Sequence, residues 1–276
     1  MNPSLFMRRL LIVAALAVPA LQAIAADTPI AAGTVTMLTG RGTAADSEGN
    51  IRALIKGGAV YSGEIINSGS ATYINLPFSD GGLVLLRPKT RFQIADYRNV
   101  PAPAAAAPEA APENKPATPA AASPAPTKLA LATPGPGSHA FFRLLKGGFR
   151  AVSGAIGHVN HDDYEVDSPV ATIGIRGTDF TAVICDEACA NDPVIAASLP
   201  AGATGAGSLV TSVTKGKVVV GTQGKCSASG QKRDDCSEID AGQYHMTTST
   251  GQQVNLPSEP RFMRVDPLPN PQMCAG

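Results

Sequence analysis

The sequence predicts an all-β fold: short strands layered as a β-sandwich or an irregular β-solenoid, interrupted by a disordered Pro/Ala-rich linker. Three observations predict it. Apolar and polar residues alternate at period two in runs punctuated by glycine, the pattern of half-buried strands. No helical period appears beyond the first 25 residues. Trp is absent and aromatics make up 5% of the 276-residue chain, so the core must come from Val, Ile, Leu and Ala. Small aliphatic side chains suit thin, closely stacked sheets, and Phe78, Phe92, Phe141, Phe142, Phe149 and Phe180 are placed to help. The length suffices for one core, with room for division into two lobes.

Residues 1–25 read as a secretory signal peptide. Arg8 and Arg9 precede an apolar run from Leu10 to Ile24, and Ala23-Ile24-Ala25 supplies the small residues of a cleavage site. The run is shorter than the roughly 20 apolar residues that span a bilayer, so no stable membrane anchor is expected. Export to the periplasm or beyond is. The chain carries 22 basic and 22 acidic residues; without Arg8 and Arg9 the balance is 20 to 22, a net charge of about −2. No basic stripe is present to neutralise phosphates, so nucleic acid is not an expected partner.

The β-domain begins at residue 26 and its first part runs to 99. Within it Thr72, Ile74 and Leu76 alternate with Tyr73 and Asn75, and Ser79-Asp80-Gly81-Gly82 separates them from Leu83-Val84-Leu85-Leu86. Asp-Gly supplies positive φ, so the two runs read as a hairpin. Arg87-Pro88-Lys89 turns into a strand where Phe92 and Ile94 alternate with Arg91 and Gln93. Residues 100–137 form the linker. Ten prolines in a field of alanine withhold N–H groups from any ladder and give little apolar bulk to offset ordering entropy. The second part of the domain spans 138–250, with alternation at Tyr164–Asp167 and Asp179–Ile184, and 251–276 reads as an irregular tail.

Three segments echo one another: Leu54-Ile55-Lys56-Gly57-Gly58-Ala59-Val60, Leu144-Leu145-Lys146-Gly147-Gly148-Phe149-Arg150 and Val213-Thr214-Lys215-Gly216-Lys217-Val218-Val219. Each reads as strand, Lys-Gly turn, strand, the glycine relieving the turn and the lysine keeping it wet. Their spacings are unequal, which does not support a regular solenoid, and short repeated strand–turn units favour a two-layer stack over a closed barrel.

The segment Ser168-Pro169-Val170-Ala171-Thr172-Ile173-Gly174-Ile175-Arg176-Gly177-Thr178-Asp179-Phe180 resembles the FecR domain family of bacterial envelope proteins. Gly33–Gly40, Leu54–Gly69, Phe78–Leu85, Lys215–Val220 and Ile239–Gln243 are similar to further strands of that family, in the same order, although Glu64 stands where the family has Asp. The resemblance implies an exported all-β module, with Thr172, Gly174, Arg176, Gly177, Thr178, Asp179 and Phe180 as its motif. In signalling members a cytoplasmic anti-sigma segment and a membrane helix come first, and the β-domain relays contact with an outer-membrane transporter. Here nine residues precede the apolar run, so the form expected is one lacking the anti-sigma segment. Read physically, Gly174 and Gly177 bracket an Arg176 able to pair with Asp179 or Asp167, or to bind a carboxylate or phosphate.

His158-Val159-Asn160-His161-Asp162-Asp163 is the densest set of potential metal ligands, with His158, His161, Asp162 and Asp163 as candidates set against an ordinary polar turn. No metal or other cofactor is expected. Five cysteines in an exported chain imply disulfides; Cys185–Cys189 and Cys226–Cys236 are the economical pairs, leaving Cys274 over. No serine stands in a G-x-S-x-G context and nothing places a histidine beside a nucleophile, so no enzyme is expected. The function expected is binding: contact in the cell envelope with a protein or small ligand, with strand edges near Ile173–Ile184 as the route for protein recognition. The alternative is a structural component that stacks with its own copies.

Overall fold

The computed structural model describes residues 30–102, 133–222 and 236–264. The first part contributes nine strands: β1 (Ala31–Thr34), β2 (Met37–Leu38), β3 (Gly42–Ala45), β4 (Ile51–Ala53), β5 (Ala59–Tyr61), β6 (Ile65–Ser68), β7 (Ile74–Pro77), β8 (Leu83–Leu86) and β9 (Arg91–Arg98). The second part opens with β10 (His139–Lys146), β11 (Gly148–Val152), the helical turn α1 (Ala155–Val159) and β12 (Tyr164–Asp167). It continues through the long strand β13 (Thr172–Ile184), the short helices α2 (Glu187–Ala190) and α3 (Pro193–Ser198), and the equally long β14 (Leu209–Gly221). Strands β15 (Cys236–Asp240), β16 (Tyr244–Thr247) and β17 (Gln253–Leu256) follow, then the turn α4 (Arg261–Arg264). The predicted all-β class is the observed one. Regular structure extends into the stretch assigned to an irregular tail, where β17 pairs with β16.

Hydrogen bonding arranges the strands in two layers, apart from β1 and β5, which pair with each other as a separate two-stranded sheet. One runs β2-β7-β8-β11 and then takes the second half of β13, the first half of β14, β16 and β17. The other runs β4-β3-β6-β9-β10-β12 and takes the first half of β13, the second half of β14 and β15. Thus β13 and β14 belong to both. The register between them slips at Arg176 to Asp179, where Gly177 has φ 59° and Gly216 φ 79°. A bulge at this point lets a strand leave one sheet for the other. A methyl group on Gly216 would stand 2.3 Å from the Gly177 carbonyl oxygen, so both strands need glycine to bend together.

The three Lys-Gly echoes take roles that local reading could not assign. At Gly57, Gly147 and Gly216 φ is positive, as expected. None makes a hairpin: β4 pairs with β3 while β5 pairs with β1, and β10 pairs with β9 and β12 while β11 pairs with β8 and β13. At Gly57 and Gly147 the chain changes its pairing partners; Gly216 is no turn but lies inside β14, which keeps β13 throughout and exchanges β16 for β15 there. The Arg87-Pro88-Lys89 turn behaves like Gly57 and Gly147, carrying β8 of one layer into β9 of the other, whereas the Asp80-Gly81 turn makes the predicted hairpin of β7 and β8.

The core fills the gap between the layers. Phe92 and Phe142 on one side meet Phe149 and Phe78 on the other, with ring centroids 5.3 Å apart for Phe92–Phe149 and 5.1 Å for Phe78–Phe142, and Phe180 continues the contact 5.6 Å from Phe149. Phe141 is a correction to the expected core. Ala140, Phe142 and Leu144 point inward, so the pleat turns Phe141 out, where it stacks on His139 at 5.1 Å. A second, smaller cluster of Val183, Cys185, Cys189, Ile195, Val210 and Met246 lies on the outer face of the first layer beneath α2 and α3. It explains why Val183 and Ala182 are both buried and alternation fails at the end of β13. Asp192 caps α3 through Val194 N (2.9 Å) and accepts from Arg261 N (2.7 Å), tying α4 to the same lobe.

The linker interrupts one core rather than separating two. Strands β9 and β10 flank it in sequence and pair in space, and β8 pairs with β11. Its ends close on each other: Pro101 and Pro134 form a bridge, Ala102 N donates to Thr133 O (2.9 Å) and Gly135 N to Val100 O (2.6 Å). The expectation that no residue of the stretch joins a ladder is corrected at these ends, where the N–H groups of non-proline neighbours make the bonds. Residues 103–132 lie outside the described residues. Replacing them with Asn-Gly should leave the domain folded, with stability unchanged or raised by about 1–2 kcal/mol from the shortened loop; urea denaturation of the two forms checks this.

Candidate functional site

Two corners of the fold interlock to build a charged concavity. At the first, Ser68 Oγ donates to Arg87 O (2.6 Å) and accepts from Thr90 N (2.8 Å), while Lys89 N donates to Gly69 O (2.9 Å). The second corner, Lys146-Gly147, packs directly on it. Arg87 N donates to Gly148 O (3.0 Å), Gly148 N to Thr90 Oγ1 (3.0 Å), and Thr90 Oγ1 to Gly148 O (2.8 Å). Gly147 has φ 78°, and a methyl there would stand 2.7 Å from Thr90 Cα and 2.8 Å from Lys89 O. Glycine is required by both conformation and space.

Beside these corners β13 ends in the disulfide Cys185–Cys189, Cα atoms 5.1 Å apart, which closes the turn into α2. Ile184 N donates to Gly147 O (2.8 Å), so this wall is held to the second corner. The third wall is α4: Arg87 Nη2 donates to Phe262 O (2.7 Å). Together these elements enclose a groove of about 590 Å³, inside the range of about 300–1,000 Å³ typical of ligand sites. Its floor is apolar, with Tyr73, Pro88, Val183, Ile184 and Phe262. Its lining carries Arg87, Lys89 and Lys146 against one carboxylate among the described residues, Asp186, whose Oδ1 accepts from Cys189 N (3.0 Å). In the sequence Lys89 belongs to one turn and Lys146 to another; their convergence depends on pairing between distant strands.

The predicted site residues fall elsewhere. In the family-like motif, Thr172, Gly174, Arg176, Gly177, Thr178, Asp179 and Phe180 all lie on β13 and span its crossing between layers. Phe180 is fully buried and Thr178 nearly so. Arg176 does not pair with Asp179 or Asp167: it lies 4.0 Å from Glu238, beside the Lys217–Glu238 and Lys217–Asp240 bridges of β14 and β15. Asp179 is taken by Arg150, whose Nε donates to Asp179 Oδ1 at 2.7 Å and which its carboxylate holds more firmly protonated. Asp167 accepts from Thr172 Oγ1 (2.8 Å) and lies 3.9 Å from Arg143. The register explains it, since the slip at Arg176 separates that side chain from Asp179 along the strand. The expectation of an open edge at Ile173–Ile184 is also corrected. Strand β13 is paired on both sides, with β12 and β11 on one and β14 on the other.

His158 sits at the end of α1 against Gly177, while His161, Asp162 and Asp163 form a one-turn 3-10 segment. Asn160 secures that turn, accepting from Asp162 N (3.3 Å) and donating to Asp163 Oδ2 (2.7 Å). Among the described residues no three His, Cys, Asp or Glu side chains converge as metal ligands. A shallow depression of about 400 Å³ lies beside His158, but its Ser153 Oγ is committed to Thr178 N (2.8 Å). Cys236 is disulfide-bonded; Cys226 and Cys274 lie outside the described residues.

One buried acid escaped sequence reading. Asp80, taken as a turn residue, is 2% exposed and accepts from Gly82 N (3.0 Å), Tyr97 OH (3.1 Å) and Ile156 N (3.3 Å). Burial, then the Asp80 charge, push the Tyr97 phenol well above its ordinary range. With its oxygens satisfied, Asp80 pins the β7–β8 hairpin to α1.

No family model matches the chain, and no curated protein does. Two crystal structures of a candidate anti-sigma factor from Parabacteroides distasonis, at 2.50 and 1.65 Å resolution, are similar to it at 12% identity, with TM-scores of 0.37 and 0.38. Each match covers 71% of this chain and 59% of the other, so the chain spans about three fifths of the length of those structures. A likeness at that level transfers no function.

Proposed function

We propose that the chain is an exported FecR-like module of the cell envelope that works by binding rather than catalysis, and that it contacts its partner through the cationic groove between the two corners. The observation that carries this reading is the groove itself: an apolar floor and a basic rim, built on backbone locked by Ser68, Thr90 and Gly147. Rigid walls reduce the ordering penalty of association. The leader-like residues 1–25 and the FecR-like order of motifs support the export and the family.

The test uses a photo-crosslinking amino acid at Ser70 or Ala188 in the groove, and at Glu48 or Thr250 outside it, irradiated in an envelope fraction. A discrete adduct from the groove positions alone is expected. None there, or equal labelling at all four, overturns the reading. One observation favours the structural alternative. Among the described residues edge strand β4 has a partner on one side only, and Ile51 and Ile55 are 72% and 67% exposed. Light scattering of the purified chain at rising concentration would show polymers if that reading holds.

A further inference from the structure

Lys89 is the one non-glycine residue with positive φ among the described residues, at 58°. It follows Pro88, and proline followed by a residue of positive φ is the order of a type II turn, whose third place ordinarily takes glycine or asparagine. A lysine held in the left-handed region is strained relative to glycine at the same place, and such strain collects where a side chain has work to perform. The corner's bonds to Gly69, Ser68 and Gly148 enforce that conformation, so the turn would close with glycine at less strain. What glycine would not supply is the ammonium group on the groove's rim.

The second observation is independent of the backbone. Lys89 and Lys146 are both exposed, come from different corners, and line one groove whose one carboxylate among the described residues caps α2. Arg87 is engaged in holding α4, and the two exposed lysines supply the remaining positive charge of the lining. Between them the floor offers Tyr73, Pro88, Ile184 and Phe262. Two exposed lysines lining an apolar trough fit a chain that presents carboxylates flanked by aliphatic side chains.

We propose that the groove recognises an acidic peptide segment of its partner, carboxylates next to aliphatic residues, and that Lys89 is a specificity-determining residue kept in a strained turn for that contact. This rests on the reading of the groove as the contact site. The experiment is fluorescence anisotropy with three fluorescein-labelled hexapeptides of identical aliphatic framework, carrying two Asp, two Asn or two Lys, titrated with the full chain at low and high salt. The Asp peptide should bind at least tenfold more tightly than the Asn peptide, with the difference shrinking as salt rises. Lys89→Gly should weaken the Asp peptide roughly tenfold while leaving Tm equal or higher, because glycine relieves the turn. Lys89→Arg should retain binding. Lys56→Gln, at the corner remote from the groove, should change nothing. Equal affinity for the Asp and Asn peptides, or an unaltered Kd in Lys89→Gly, overturns the proposal. If the groove positions still crosslink a partner in that case, the contact site stands and only its chemistry is wrong.

Discussion

Replacing Phe149 by Ala is expected to destabilise the protein by about 3–5 kcal/mol. Phe149 is fully buried on β11, and its ring meets Phe92 of the opposite layer and Phe180 of β13. Truncation removes transfer free energy and leaves a cavity lined by those rings, which the two stiff layers cannot collapse to fill. Phe141→Ala is the control: the same change on the outer face should cost about 1 kcal/mol or less. Urea midpoints of the two variants, compared at constant m, measure the difference. Similar losses in both would mean that the layers do not meet through these aromatics.

Acidification should destabilise the fold through His245. The ring is fully buried on β16 opposite Thr211, neither nitrogen has a hydrogen-bond partner, and burial lowers its pKa from 6.5 to about 4. The folded state therefore holds the neutral ring, and protons bind the unfolded chain first. This contribution is complete above about pH 6.5 and drains away as pH falls toward 4, by about 3 kcal/mol over the window. His245→Leu should flatten that part of the pH profile. It should leave stability at pH 7 equal or higher, because two unpartnered buried nitrogens are removed. Denaturation midpoints at pH 7, 5.5 and 4.5 for both proteins decide it; parallel profiles would assign the acid sensitivity to other groups.

The strands were legible because the pleat writes itself into sequence. Ile74, Leu76, Phe92, Ile94, Tyr164 and Val166 alternate with polar neighbours and are buried as that pattern requires. The hairpin at Asp80-Gly81 was legible for the same local reason. What a strand pairs with after a turn is a long-range matter, and Lys-Gly chemistry is the same whether the chain doubles back or crosses to another layer. For that reason Gly57 and Gly147 are recognisable as turns and not as corners, while Gly216, which reads as a turn, lies in a bend of the continuous strand β14. The approach of Arg176 to Glu238 depends on β15, far along the chain, and on a register slip that no spacing encodes. The short helices are too brief for a period, although Asp192-Pro193 carries a start signal at α3. The groove escaped notice because its lysines come from separate turns, each unremarkable alone.

Two strands threading both layers have a mechanical consequence. A pull exerted on either sheet is borne by β13 and β14, and neither sheet can unzip while the other keeps its hydrogen bonds along them. Melting should therefore be a single event for the whole sandwich, and force applied by a bound partner would reach the far sheet without passing through side-chain contacts.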